Sequence, residues 1–296
     1  MYNYKDINTV HLEVTQRCNA SCPMCDRNEN GGAVNQHIKN NLQELSLDDC
    51  INIFDPDFLQ QLKVLYMCGN LGDPISAKDT LEIFDYTRAM NDNIWLSMNT
   101  NAGARDVTWW RELAKEWGVE KFMKKKTGRF VTSTSEAKET HQAKNRKGVN
   151  MQQLAKPKKA EYQNLALLKQ KEIEKTYGGM KNYYDSCDIK CKVAGKDPNI
   201  FITAEGLVLP CCWTAGRMYK WWHKDPKVEQ IWDFIDAVGG KEALDARIHG
   251  VEGVFETGIM QDIQRSWNKK SIEEGKLGVC SMKCGTEFDP FAEQFT

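Results

Sequence analysis

Three cysteines on one short loop constrain this chain more than any other feature. Cys18-Asn-Ala-Ser-Cys22-Pro-Met-Cys25 places three thiols within eight residues. Val10 to Thr15, just before it, alternates apolar and polar side chains and reads as a strand. The chain has 296 residues and 11 cysteines, and that length can bury a core without covalent staples. It opens Met1-Tyr-Asn-Tyr-Lys-Asp, with no basic stretch leading into an apolar one, so a cytoplasmic, reducing location is expected. There, so many thiols point to metal, cluster or redox chemistry rather than bridges. With 41% hydrophobic and 27% charged residues, a fully disordered chain is excluded. No apolar run approaches the roughly 18 residues of a membrane span, so no membrane partner is expected. Three thiolates on a tight loop can hold three irons of a 4Fe-4S cluster and leave the fourth iron open; a zinc site or an inert trio is the bland alternative.

Downstream of the cysteine loop the pattern repeats. Ser46-Leu-Asp-Asp49 resembles a capping box and opens a short helix to about Phe54, which Asp55-Pro56 stops. Leu62 to Met67 is a second strand, ending in Cys68-Gly-Asn-Leu-Gly-Asp-Pro74, and Ser76 caps the helix that follows. Ile94 to Met98 is a third strand, closed by Asn99-Thr-Asn-Ala-Gly103, and Asp106 to Trp117 is an amphipathic helix. Phe122 to Val131 reads as a fourth strand. Strand, loop and helix three times over predict parallel βα units, whose chemistry gathers where the strands end.

The Cys-x3-Cys-x2-Cys loop after the first strand of such a series resembles that of the radical S-adenosylmethionine (radical SAM) superfamily. The resemblance implies a 4Fe-4S cluster on Cys18, Cys22 and Cys25 whose open iron chelates the methionine end of SAM. One electron then cleaves SAM to a 5′-deoxyadenosyl radical that takes hydrogen from a substrate. It further implies that Gly72 and Asp73 stand where relatives carry a Gly-Glu pair on the SAM ammonium. Asn99 and Asn101 match a Thr-Asn-Gly motif with one residue inserted, and Met24 matches the residue beside the adenine. The barrel of that family has six βα units; three are counted here with one further strand near Phe122, so two are expected to be absent. The fold class implied is α/β, a reduced partial (β/α) barrel with a small C-terminal β-hairpin and helices.

A second set of cysteines follows. Cys191, fourteen residues, Gly206, four residues and Cys211 are joined by Cys280-Ser-Met-Lys-Cys284. The spacing resembles the start of SPASM and twitch extensions, closer to a twitch, and implies a second, auxiliary 4Fe-4S cluster. Zinc is the alternative. Either Cys211 or Cys212 is the third ligand of this set, the Gly-x4-Cys count favouring Cys211. Cys187, Cys50 and Cys68 read as small buried hydrophobes. Asn199 to Pro210 is a hairpin turning at Ala-Glu-Gly206, with helices near Pro226–Val238 and Glu256–Trp267. Trp213 and the stretch Arg217 to His223 either pack around this site or stack a base or peptide.

Lys121 to Lys181 holds 16 Lys and Arg against 5 Asp and Glu in a chain of net charge −1. It reads as a solvated surface or a patch for an acidic partner or nucleic acid. The expected organisation is a core over 1–131, a basic helical connector over 132–186 and an auxiliary-cluster unit over 187–296, the two cysteine sets loading independently. The expected function is SAM cleavage driving hydrogen abstraction, with a peptide or protein preferred as substrate and flavodoxin or ferredoxin as reductant. The rivals are a catalytically impaired Fe–S protein and a zinc or Fe–S nucleic-acid-binding protein.

Overall fold

The computed structural model describes residues 3–22, 25–116, 171–195 and 197–285. Five strands form one sheet: β1 Thr9–Leu12, β2 Val64–Met67, β3 Trp95–Met98, β4 Asn199–Ile202 and β5 Val208–Leu209. Their order is β3-β2-β1-β4-β5. The first four are parallel, and β5 returns antiparallel beside β4. The three expected strands are present and adjacent. The proposed fourth strand over Phe122–Val131 and the basic stretch up to residue 170 lie outside the described residues.

The C-terminal hairpin joins the N-terminal sheet. Its turn forms as expected, with Gly206 at φ +80°, a conformation that costs a residue with a Cβ dearly. β4 pairs with β1 in the register Val10↔Ile200 and Leu12↔Ile202, extending the N-terminal sheet. Val10, Leu12, Leu65, Met67, Ile200 and Ile202 project to one face and are all buried. A strand fully buried on that face cannot be peeled away without exposing the whole row to water, at about 25 cal/mol per Å² of apolar surface. One hydrophobic core accordingly runs from Ile7 to Cys280. Helix Ala246–Glu256, which the sequence reading missed, packs along helix Leu47–Ile53.

Local signals explain most of the helices. The Ser46 hydroxyl accepts from Asp49 N, and the Asp49 carboxylate accepts from Ser46 N, completing the capping box. Asp55-Pro56 ends that helix and also starts the next, Pro56–Gln61, with the Asp55 carboxylate on Phe58 N. The third helix runs Thr80–Met90 from Asp79, not from Ser76, which closes a 3-10 turn. Helix Val107–Glu116 matches its expected span closely. Helix Ile259–Ser266 carries the expected C-terminal pattern. Among the described residues no helix is long and apolar enough to cross a membrane.

Candidate metal and cofactor site

The parallel strands aim three loops at one end of the sheet. The loop after β1 carries Cys18, Cys22 and Cys25, all partly exposed. Ala20 N donates to Cys18 Sγ at 3.3 Å, and the Cys25 thiol lies 3.6 Å from the Asn70 carbonyl oxygen of the loop after β2. Burial raises the Cys25 thiol to about 12, and the nearby Cys22, Cys18 and Asp26 push it the same way. Three thiols that oppose one another's ionisation form a donor set that a cation relieves.

The loop after β2 lies hard against this one. A Cβ at Gly72 would stand 1.8 Å from the Thr15 carbonyl oxygen, so only glycine permits the approach. Asp73 N then donates to Arg17 O at 2.8 Å. The Asp73 carboxylate is 5% exposed. One of its oxygens accepts from Ile75 N (3.1 Å) and Thr100 Oγ1 (2.7 Å), the other from Asn101 N (2.7 Å). Asp73 therefore ties the loops after β2 and β3 together. Asn101 continues the chain of contacts, its Nδ2 donating to Asn19 Oδ1 at 2.8 Å and lying 3.5 Å from Cys18 Sγ. Asn99 does not join this group; it bonds the side chain of Cys68. Met24 lies outside the described residues.

The second cysteine set is assembled from three distant stretches. Cys191 and Cys284 share a hydrogen bond, and Cys211 lies close enough to each to raise its thiol electrostatically or be raised by it. Burial pushes the Cys280 thiol well up, with Cys211 and Cys284 adding to it. Cys280 and Cys284 sit four residues apart on helix Gly278–Cys284, hence on one face. Cys211 faces this set. Cys212, whose thiol burial raises to about 12, also feels Cys68 and Glu13 on the other side. Cys50 and Cys187 are buried, as expected of packing cysteines. Lys283 Nζ stands 3.7 Å from the Trp213 ring centroid, bordering the set.

Among the described residues, no group of three or more His, Cys, Asp or Glu closes around a single metal ion. What speaks for a cluster is donor chemistry: each set offers thiols that are electrostatically coupled to one another. Sequence reasoning missed Glu13 and Asn70. Glu13, 2% exposed, accepts from Leu71 N at 2.6 Å and from the Asn70 and Gly72 amides. In sequence it is one polar position in an alternating strand, with nothing to mark it.

No family model matches the chain, and no curated protein matches it. Among solved structures, the chain is similar to that described as the crystal structure of BtrN in complex with AdoMet and 2-DOIA. The two are 12% identical, 95% of this chain and 94% of that one are covered, and the TM-score is 0.41.

Proposed function

We propose that the chain is a radical SAM enzyme with a second, auxiliary iron–sulfur site. The observation that carries this reading is the meeting of three loops, each leaving the C-terminal end of a parallel strand, around the thiols of Cys18 and Cys25. Cys18, Cys22 and Cys25 would hold a 4Fe-4S cluster, which when bound supplies one electron to SAM. Cys191, Cys211, Cys280 and Cys284 would hold the auxiliary cluster. Gly72 lets the loop after β2 reach the cysteine loop. Asp73 holds Asn101 beside Cys18, and a donor amide near a thiolate ligand stabilises its negative charge. Asp73 and Gly72 also offer the acceptor edge proposed for the SAM ammonium, with Asn99, Asn101 and Met24 around the rest of the cofactor.

A peptide or protein is the proposed substrate. Support comes from the aromatic and basic strip after the second set, where Trp222 is 50% exposed and Lys220 Nζ stands 5.2 Å from its ring centroid. Flavodoxin or ferredoxin is the proposed reductant.

The test is 5′-deoxyadenosine release from SAM under anaerobic reduction. The wild type should release it, and a Cys18/Cys22/Cys25→Ala triple variant should not. Equal release from both would sink the reading.

A further inference from the structure

The two cysteine sets are 166 residues apart from Cys25 to Cys191, yet they touch the same short loop. The Asn70 carbonyl oxygen lies 3.6 Å from the Cys25 thiol. The Asn70 side-chain Nδ2 donates to the Cys212 carbonyl oxygen at 2.8 Å, one residue beyond Cys211. Beneath it, the Glu13 carboxylate gathers the amides of Asn70, Leu71 and Gly72. A second row of contacts runs parallel to the first. Lys220 pairs with Asp26, the neighbour of Cys25. Asn35 Nδ2 donates to the carbonyls of Asp26 (2.9 Å) and Tyr219 (2.8 Å), and Gln36 Nε2 to those of Trp221 (3.1 Å) and His223 (3.0 Å).

These contacts do not resemble two modules joined by a linker. The segments that carry the two sets are tied side chain to main chain at several points. Asn70 is the one residue among them whose main chain meets a thiol of the first set while its side chain meets the residue next to a thiol of the second.

We propose that Asn70 is a positioning residue shared by both cysteine sites, its amide holding the 211–212 turn against the loop that seats Cys25. The donor is the amide N–H, so the polarity of the side chain matters as well as its size. Asn70→Asp keeps the volume but sets a carboxylate against the Cys212 carbonyl. Asn70→Ala removes volume and donor together. A packing role makes Ala the worse variant; a donor role makes Asp at least as damaging.

The first measurement uses the metal-free chain and does not depend on what the thiols bind. Iodoacetamide labelling is followed by mass spectrometry at Cys211 and Cys212, with buried Cys50 as the internal reference for unfolding. Loss of one hydrogen bond should speed labelling of Cys211 and Cys212 about fivefold in Asn70→Asp, with Asn70→Ala no faster. Cys50 should keep its wild-type rate. If Asn70→Asp exposes Cys50, Asn70→Ser, too short to reach the Cys212 carbonyl, takes its place with the same expected acceleration. Unchanged labelling, or Ala faster than Asp, overturns the proposal.

The second measurement rests on the iron–sulfur reading. In reconstituted Cys22→Ala protein, whose remaining iron sits in the C-terminal set, adding Asn70→Asp should hasten iron release to a chelator about fivefold. The electron paramagnetic resonance spectrum of the reduced protein should change as well. Accelerated labelling without iron in either set would count against the iron–sulfur reading and leave the joint standing.

Discussion

The two cysteine sets solve one problem in opposite ways. The N-terminal set takes its three thiols from eight consecutive residues on the loop after β1. The C-terminal set takes four thiols from residues 191, 211, 280 and 284, two of them on one helix. A local set costs little chain entropy to close but has few neighbours of its own. It borrows its rigidity from the loops after β2 and β3, through Gly72, Asp73 and Asn101. A non-local set must close long loops, at about (3/2)RT ln n for each, and relies on the surrounding core to do so. Cys280, 8% exposed, belongs to that core. The difference also has chemical content. Three thiolates leave an iron open for a ligand, and four leave none.

The strongest way to break this comparison is to remove one thiol from each set. Cys22→Ala should abolish SAM cleavage and remove about half the iron, since a methyl group replaces no ligand. Cys284→Ala should remove the other half and leave SAM binding measurable. Iron analysis with a 5′-deoxyadenosine assay decides it, and intact cleavage in Cys22→Ala would defeat the N-terminal assignment. Next in size is Gly72→Ala. Its Cβ would overlap the Thr15 carbonyl, backbone against backbone, so no rotamer relieves it. We expect a loss of about 3 kcal/mol or more in urea unfolding, with Ala substitution at Gly275, where an added Cβ meets nothing within 4 Å, costing less. Equal losses would mean that the loops are not pressed together as described.

Sequence pattern made some of this architecture legible and hid the rest. The capping box at Ser46, the hairpin turn at Gly206 and strands β1 to β3 are local events, and local residues announce them. The pairing of β4 with β1 joins residues some 190 apart. The alternating stretch Val10–Val14 and the apolar run Ile200–Ile202 carry no mark of which neighbour they will choose. Helix Gly278–Cys284 escaped because it is seven residues long and opens on a glycine, a poor helix former. Its two cysteines were readable as a pair, but not as one face of a helix. Asp73 stood out by resemblance, whereas its three donors, from Ile75, Thr100 and Asn101, depend on how two strand ends meet.

Asp73 sharpens the comparison because its hydrogen bonds hold the loops around the local set. Asp73→Ala should leave iron in the C-terminal set unchanged. It should weaken SAM binding by about 1.5–3 kcal/mol, the scale of a hydrogen bond to a charged group. Titration of SAM into reconstituted protein measures the first-set effect. Unaltered affinity would confine Asp73 to latching the loops after β2 and β3, readable as a stability loss alone.

Glu13 gives the most particular effect, one read only as a slope against pH, because it lies under the joint between the two sets. Burial raises its carboxyl from the usual carboxylate range to about 7. The amides of Leu71, Asn70 and Gly72 oppose that rise, and the Glu205 charge adds to it. Glu205 is itself paired with Lys241, and the Cys212 thiol also stands near Glu13. The folded chain thus holds a proton on Glu13 that the unfolded chain releases near its ordinary value of about 4.5. The sign follows: this contribution is fully present below about pH 4.5 and is lost as pH rises to about 7. Between those limits it lowers stability with a slope of up to about 1.4 kcal/mol per pH unit. Glu13→Gln cannot titrate, so its urea-unfolding free energy should lack this component of the slope. Subtracting the variant's curve from the wild type's isolates it from every other carboxylate. Parallel curves from pH 4.5 to 7 would show that Glu13 ionises as a solvated acid does. The loop bearing Asn70 would then not be anchored from beneath by a desolvated carboxyl.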